Sequence, residues 1–270
     1  MKKLFFILSL SCFSYATQAQ INLGKATGAV TKGAQALTFS NQDAINLSKE
    51  AVEWMDKNNP VPPASDPYAQ RLERIIGKHK SEDGLNLNFK VYNVLDINAF
   101  ACADGSVRVF SSLMDIMTDD ELRAIIGHEI GHVKNEDTKD AVKNAYMKAA
   151  ALEAGSAASN TVSKLNDSQL GEMANAMLDA SHSRKQESQA DTYSYDFMKK
   201  HGYDVNAAYT AFMKLALLSE GSAQQTGYQK MLNSHPDSKK RAEEIKKRAQ
   251  KDGLWKDPGT ISLPTTRLTE

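Results

Sequence analysis

The pentapeptide His128-Glu129-Ile130-Gly131-His132 sets two imidazoles four residues apart with a carboxylate between them. On an α-helix such residues lie about 40° apart around the axis, so both rings leave the same face. Imidazole nitrogen is a favoured ligand of Zn2+, and a Glu so placed can take a proton from a water on the ion. A solvated helix with two incidental histidines fits the surroundings poorly. Leu122, Ile125, Ile126, Ile130 and Val133 fall on one arc of the same helix, which His128 and His132 border, and Glu129 lies within that arc. An unpaired carboxylate in a buried sector is costly. Gly127 and Gly131 weaken a helix unless another backbone must approach it closely. Thr118 with Glu121 is a capping-box signature, starting the helix just ahead of the motif.

Two histidines do not complete a catalytic zinc site, which commonly has three protein ligands and a water. Glu187 and Asp191 are also four apart and share a helix face. One can bind metal while the other accepts the free N–H of a ligating histidine and fixes its tautomer. The same pair also fits an ordinary solvated helix face. Asn233-Ser234-His235-Pro236 reads as a loop entering the last helix, where a lone histidine is by default solvated. His79 and His201 stand near helix ends and are expected in solvent, and His182, more than a turn before Glu187, is expected to point elsewhere. A purely structural zinc site would want four closed ligands and no general base. No Gly-x-Ser-x-Gly elbow or phosphate-binding glycine loop occurs, which leaves serine-hydrolase and nucleotide-driven chemistry without support.

The elements that must carry these residues are mostly helical. Residues 41 to 57 put Ala44, Leu47, Ala51, Trp54 and Met55 on one apolar face, stopped by Asn59-Pro60-Val61-Pro62-Pro63. A second helix is expected from Pro67 to His79, ended by Ser81-Glu82-Asp83-Gly84. Leu85, Leu87, Phe89 and Val91 alternate as in a half-buried strand, and 99–103 with 107–110 form a hairpin closed by Asp104-Gly105. Helical patterns then run from Asp119 to about Lys148, Leu170 to Lys200, Val205 to Leu218 and Ser238 to Ala249. His201-Gly202 supplies the stop of the second of these. The expectation is one α+β domain over 41–250, mainly helical, with a small antiparallel sheet, and a loosely ordered polar tail over 251–270.

At 270 residues, 41% apolar and 24% charged, the composition is that of a globular protein. The 33 basic and 33 acidic side chains balance, and no basic stripe points to nucleic acid. Lys2 and Lys3, the apolar run Leu4 to Leu10 and small polar residues up to Ala19 read as a signal peptide over 1–19, with 20–40 a mobile arm. The rival reading makes Cys12 a lipid-modified anchor, although Ser9-Leu10-Ser11 fits a lipobox poorly. No other apolar stretch is long enough to span a bilayer. With Cys12 removed, Cys102 has no partner for a disulfide and is expected buried and inert.

Four ordered segments carry a resemblance. Asn98-Ala99-Phe100-Ala101-Cys102-Ala103-Asp104-Gly105, Gly127 to Val133, Glu187-Ser188-Gln189-Ala190-Asp191 and Ser234-His235-Pro236 resemble the HtpX and CAAX-prenyl-protease family of gluzincin metallopeptidases. The likeness spans about Ala44 to Ala249 and is greatest to the soluble periplasmic LoiP- and BepA-like branch. It implies a zincin fold whose sheet packs on the active-site helix, one Zn2+ per chain, Glu187 as third ligand and Asp191 as the acceptor behind a ligating histidine. It implies that Asn98, Ala99, Phe100 and Ala101 form a substrate-binding edge strand. It also places His235 near the reacting carbonyl, as an oxyanion donor in the working enzyme or as a resting occupant of zinc's fourth position. Arg241 would support either role by fixing a nearby carboxylate or the substrate. Membrane members carry transmembrane helices and this chain has none, which points to unfolded or misfolded exported proteins as substrates in the periplasm or outside the cell, in association with outer-membrane or periplasmic assembly factors. The competing expectation is a zincin-fold chaperone or binding module with low or self-blocked activity.

Overall fold

The computed structural model describes residues 39–152, 165–220 and 229–264, so the expected signal peptide and nearly all of the arm lie outside the described residues. The first helix, α1 (Asn41–Asn58), starts at a Ser40–Asp43 capping box and buries Ala44, Leu47, Ala51, Val52 and Met55. Trp54 is only partly buried and donates its indole N–H to Asp167 at 3.0 Å. Asp66 caps α2 (Pro67–Ile76), with Pro67 in the first turn, and a 3-10 turn over Gly77–His79 completes the expected helix. The segment expected only to end it forms instead a two-stranded ribbon, β1 (Ser81–Glu82) with β2 (Leu85–Asn86).

The main sheet contains β3 (Asn88–Tyr92), β4 (Ala99–Ala101) and β5 (Ser106–Phe110), in the order β3-β5-β4. The expected hairpin is present, with β4 antiparallel to β5. Its turn is closed by Gly105 N–H on Cys102 C=O, and Gly105 has a φ of 85°. A side chain there would collide with the Asn86 carbonyl, so the position requires glycine. The sheet is mixed and not purely antiparallel, because β3 pairs with β5 in parallel register. All five residues of β5 are buried, as a central strand demands, and the chain crosses over between β3 and β4 to flank it on both sides. Arg108, 1% exposed in the middle of β5, is bonded to Asp56 of α1 at 2.8 and 3.0 Å, and Tyr92 and Lys90 donate to the same carboxylate. A buried guanidinium is tolerable only with such pairing, and it fastens α1 to the sheet.

After β5 come α3 (Ser111–Ile116), α4 (Asp119–Lys134), α5 (Asp137–Leu152), α6 (Asp167–Leu178), α7 (Arg184–Lys200), α8 (Asn206–Glu220), α9 (Gln229–Ser234) and α10 (Ser238–Lys251). Two stretches expected as single helices are each broken. The first breaks at Asn135 and Glu136, where Glu136 adopts a φ of 61°. The second breaks over residues 179–183 and restarts at a Ser183–Gln186 capping box. Among the described residues the chain is α+β and mainly helical, as expected, and no helix is long and apolar enough to cross a membrane.

The main core lies between the sheet, α2, α4, α7, α8 and α10. Helix α4 contributes Leu122, Ile125, Ile126 and Ile130, each worth roughly 1.5–3 kcal/mol relative to exposure. The expected close approach is present. A Cβ on Gly131 would stand 3.0 Å from Ala190 Cα of α7, and one on Gly127 would stand 3.1 Å from Phe197. Cys102 is a buried free thiol whose pKa burial pushes up, which makes it inert as expected. The start of the polar tail folds back onto the core. Leu254 and Trp255 N–H groups donate to Ala249 C=O, and the Trp255 ring meets Tyr209 edge-on at 4.9 Å.

Candidate metal centre

Helix α4 starts where the sequence requires, with Thr118 Oγ1 accepting the Glu121 N–H and the Glu121 carboxylate accepting the Thr118 N–H at 2.7 Å. His128 and His132 are 2% and 1% exposed, and their Nε2 atoms stand 3.0 Å apart. Helix α7, locked against α4 at the two glycines, brings Glu187 to them. Its Oε1 lies 3.3 Å from His132 Nε2 and its Oε2 lies 3.6 Å from His128 Nε2.

The outer nitrogens decide what these atoms want. His128 Nδ1 is 2.9 Å from Asp191 Oδ1, and His132 Nδ1 is 2.9 Å from Asp137 Oδ2. A carboxylate accepts only, so His132 Nδ1 carries a proton for Asp137, while His128 Nδ1 lies between the Asp191 carboxylate and Arg241 Nη2 at 3.1 Å, and the Nε2 of each ring is turned toward Glu187. Two imidazole nitrogens and a carboxylate therefore converge in a buried space, an arrangement able to hold a cation once His132 gives up its proton. Ligand atoms on a tetrahedral zinc with bonds of about 2.0–2.1 Å stand about 3.3 Å apart, matching the 3.0, 3.3 and 3.6 Å seen here. The residues present fit zinc.

The charges around the site agree. Burial opposes ionisation of Glu187, but His132, His235 and His128 outweigh it and hold its carboxyl well below the usual range. Burial also works against Asp191, and Arg241 with His128 overcomes it, bringing the group down to about 2. In the metal-free site a proton goes to His132. Burial disfavours its cation, yet Asp137 and Glu187 raise its pKa to about 9, whereas burial and the Arg241 charge push His128 down to about 3. Arg241, on α10 and 7% exposed, grips Asp191 with two bonds of 2.9 and 2.6 Å. Its Nη1 also lies 2.6 Å from Glu187 Oε2, an ion-pair contact out of line for a hydrogen bond. Of the two roles expected for Arg241, the carboxylate-fixing geometry is present.

Glu129 is buried with no hydrogen-bond partner for its Oε1, and burial raises its pKa, partly offset by His235 and His132. It lines a cavity of about 40 Å3 with Asn98, Ala99, Phe100 and Ala101 opposite. Strand β4 is the edge of its sheet among the described residues, and its residues Ala99 to Ala101 line this space. His235 sits inside the cluster. Its Nδ1 is 3.2 Å from His128 Nε2 and 3.1 Å from Glu187 Oε1, and its Nε2 is 3.6 Å from Glu129 Oε1. It thus joins His128, His132 and Glu187 in the group able to hold an ion.

The sequence reading missed three features. Asp137, holding His132, stands at the start of α5, and the Asn135-Glu136-Asp137 run was the available signal of a new helix start. His182 does not point elsewhere: its ring stacks on His132 with centroids 3.8 Å apart at 15°. His79 and His201 are not both solvated either. His79 is 2% exposed, and both rings contact Glu82. A larger groove of about 700 Å3 lies between α7 and α10, lined by Arg184, Lys240 and Lys247 on the far side of Glu187 and not in contact with Glu129.

The model of peptidase family M48 matches residues 68–249. The metalloprotease LoiP of Escherichia coli is 37% identical over 233 residues, covering 85% of this chain and 90% of that protein. The metalloprotease YcaL of the same bacterium is 39% identical over 215 residues, 79% and 83% of the two chains. The protease HtpX of Acinetobacter baumannii is 34% identical over 96 residues, 32% of each chain.

Proposed function

Because the chain belongs to peptidase family M48 and is a metallopeptidase, we propose that it is a zinc-dependent endopeptidase acting on unfolded or misfolded exported proteins, with His128, His132 and Glu187 as ligands and Glu129 as general base. One observation carries the reading. The Nε2 atoms of His128 and His132 and the Glu187 carboxylate converge beside a buried Glu129 oxygen that has no partner.

An ion held there supplies a Lewis acid that makes a water acidic near neutral pH and polarises a peptide carbonyl. Glu129 takes the water proton and returns it to the leaving amine. Asp137 holds His132 by its Nδ1 and turns its Nε2 toward the ion, and Asp191 positions the His128 ring from behind. Arg241 holds Asp191 ionised and aligned, and its contact with Glu187 steadies the carboxylate's second oxygen. An extended substrate adds to the free edge of β4 at Asn98 to Ala101, where main-chain hydrogen bonds tolerate many sequences, as degradation of unfolded chains requires.

The test is casein degradation with and without a chelator, alongside zinc content. Glu187→Ala should lose activity and the ion of this centre, while Glu129→Gln should keep its metal and lose activity. Full zinc in the first, or near-normal turnover in the second, overturns the assignment.

A self-blocked peptidase is the second reading, and it has specific support. The cavity at Glu129 is only about 40 Å3, and His235 stands among the ligand atoms where the water must enter. His235→Ala separates the roles. A fall in kcat of about 100- to 1000-fold with zinc retained makes it the oxyanion donor, and a rise makes it a latch. The signal peptide over 1–19, the arm over 20–40, the peptidase domain over 41–250, the tail over 251–270 and a periplasmic or secreted location complete the proposal, together with association with outer-membrane or periplasmic assembly factors. N-terminal sequencing of exported protein should find Gln20 first, and a lipid-modified Cys12 would move the protein to a membrane leaflet.

A further inference from the structure

Far along α7 from Glu187, a second set of ligating side chains converges. His79 ends the 3-10 turn, Glu82 lies in β1, and His201 caps the C-terminus of α7. His79 Nδ1 is 2.8 Å from Glu82 Oε2, and His201 Nε2 is 3.1 Å from Glu82 Oε1. The two rings meet edge to face at 4.4 Å, and the three candidate ligand atoms lie within 4.8 Å of one another. We propose that His79 Nδ1, Glu82 and His201 Nε2 form a second site for a divalent transition-metal ion, which staples the β1 segment to the end of α7.

The donor set is the same as at the first centre, two imidazoles and one carboxylate, which suits zinc. The supporting partner is also present. His79 Nε2 lies 2.8 Å from the Tyr203 hydroxyl, which can accept its N–H and leave Nδ1 free for the ion, as Asp137 and Asp191 do for the opposite nitrogens of His132 and His128. The last carbonyls of α7 point toward this end of the helix and favour a cation there. Glu82 already attracts one: Lys200 Nζ is 2.6 Å from its Oε1. The same ammonium is 2.8 Å from Asp83 Oδ1 and its side chain is half exposed, so an arriving ion can displace it from Glu82 while it keeps Asp83. His201 is the partly exposed ligand and gives the ion its way in. No unpartnered carboxylate like Glu129 stands nearby among the described residues, so the role is structural. Cys102 is a free thiol, and such a staple would tie together segments 119 residues apart in sequence.

The experiment is zinc stoichiometry on tag-free, full-length protein, stripped and then equilibrated with excess zinc and gel-filtered. Wild type should hold two ions, and His201→Ala and Glu82→Gln one each with casein cleavage unchanged. Glu187→Ala should keep one and still gain melting temperature on adding zinc. A wild-type stoichiometry that neither His201→Ala nor Glu82→Gln lowers overturns the proposal, whether the wild type holds one ion or two. The first centre is judged separately, because a wrong ligand assignment there would leave Glu187→Ala with its full complement.

Discussion

Replacing Gly131 by Ala tests whether the seam between α4 and α7 sets the metal geometry. The added methyl would lie 3.0 Å from Ala190 Cα, 3.1 Å from its carbonyl oxygen and 3.1 Å from Tyr193 Cβ. Those are backbone and first side-chain atoms of a packed helix and cannot swing away, so α7 must retreat by a few tenths of an ångström. Overpacking of this kind costs about 1–3 kcal/mol, while Ala in place of Gly inside a helix returns about 1 kcal/mol. The balance is a loss of about 1 kcal/mol, or a fall in Tm of about 2–4 °C for a domain of this size. Gly127→Ala is the internal control. It regains the same helix propensity, but its methyl meets chiefly the movable edge of the Phe197 ring at 3.1 Å and the Ser194 hydroxyl at 3.4 Å, so it should be near neutral or stabilising. Glu187 stands one turn from Ala190 on the retreating helix, so Gly131→Ala alone should also weaken zinc binding. The assays are thermal melting of metal-free protein and zinc affinity by chelator competition. Equal or higher Tm and unchanged affinity in Gly131→Ala would refute the reasoning.

Asp137→Ala removes the acceptor at 2.9 Å behind His132 and should weaken zinc affinity by about 10- to 100-fold, and an unchanged dissociation constant would remove Asp137 from the site's support. Because the neighbouring carboxylates hold metal-free His132 at about 9, that residue is protonated at pH 7 and must release its proton to bind zinc. Uptake at pH 7 should therefore release about one proton, with affinity rising about tenfold per pH unit up to about 9 and then levelling, and calorimetry in buffers of different ionisation enthalpy showing no release would contradict this. His182→Ala removes the ring stacked at 3.8 Å on His132 and should lower both zinc affinity and kcat, while His182→Phe keeps a flat ring and should restore both. If Phe serves no better than Ala, the stack is not what the site uses.

The chemistry was easier to read from the sequence than the turns that complete it. His128, Glu129 and His132 were legible because a helix converts a spacing of four into a shared face, and Thr118 with Glu121 said where that helix begins. Gly127 and Gly131 announced a close neighbour, and the spacing of Glu187 and Asp191 offered a candidate ligand that only the family likeness raised above an ordinary solvated face. The breaks at 135–136 and 179–183 were not legible from hydrophobic period, which runs on across a short interruption, and they are the turns that deliver Asp137 and His182. The Ser183-Arg184-Lys185-Gln186 box was a local signal that periodicity overrode. The parallel pairing of β3 with β5 was hidden for another reason, since alternation reports which face is buried and not the direction of the partner. His79 and His201 were misplaced because closeness to a helix end says nothing of what packs over it.

The grip of Arg241 on Asp191 has a consequence in time. As the chain is made, the helix of His128 and Glu129 and then that of Glu187 emerge well before α10, and Arg241 lies 113 residues beyond His128. Until α10 docks, Asp191 enters the core without the guanidinium that grips it and has only His128 beside it. A chain shorter than α10 would carry the whole hydrolytic motif and still be unable to hold it ready. On the proposed assignment, competence for peptide cleavage would arrive only with nearly the last helix, and a chain cut before Arg241 should show no casein cleavage.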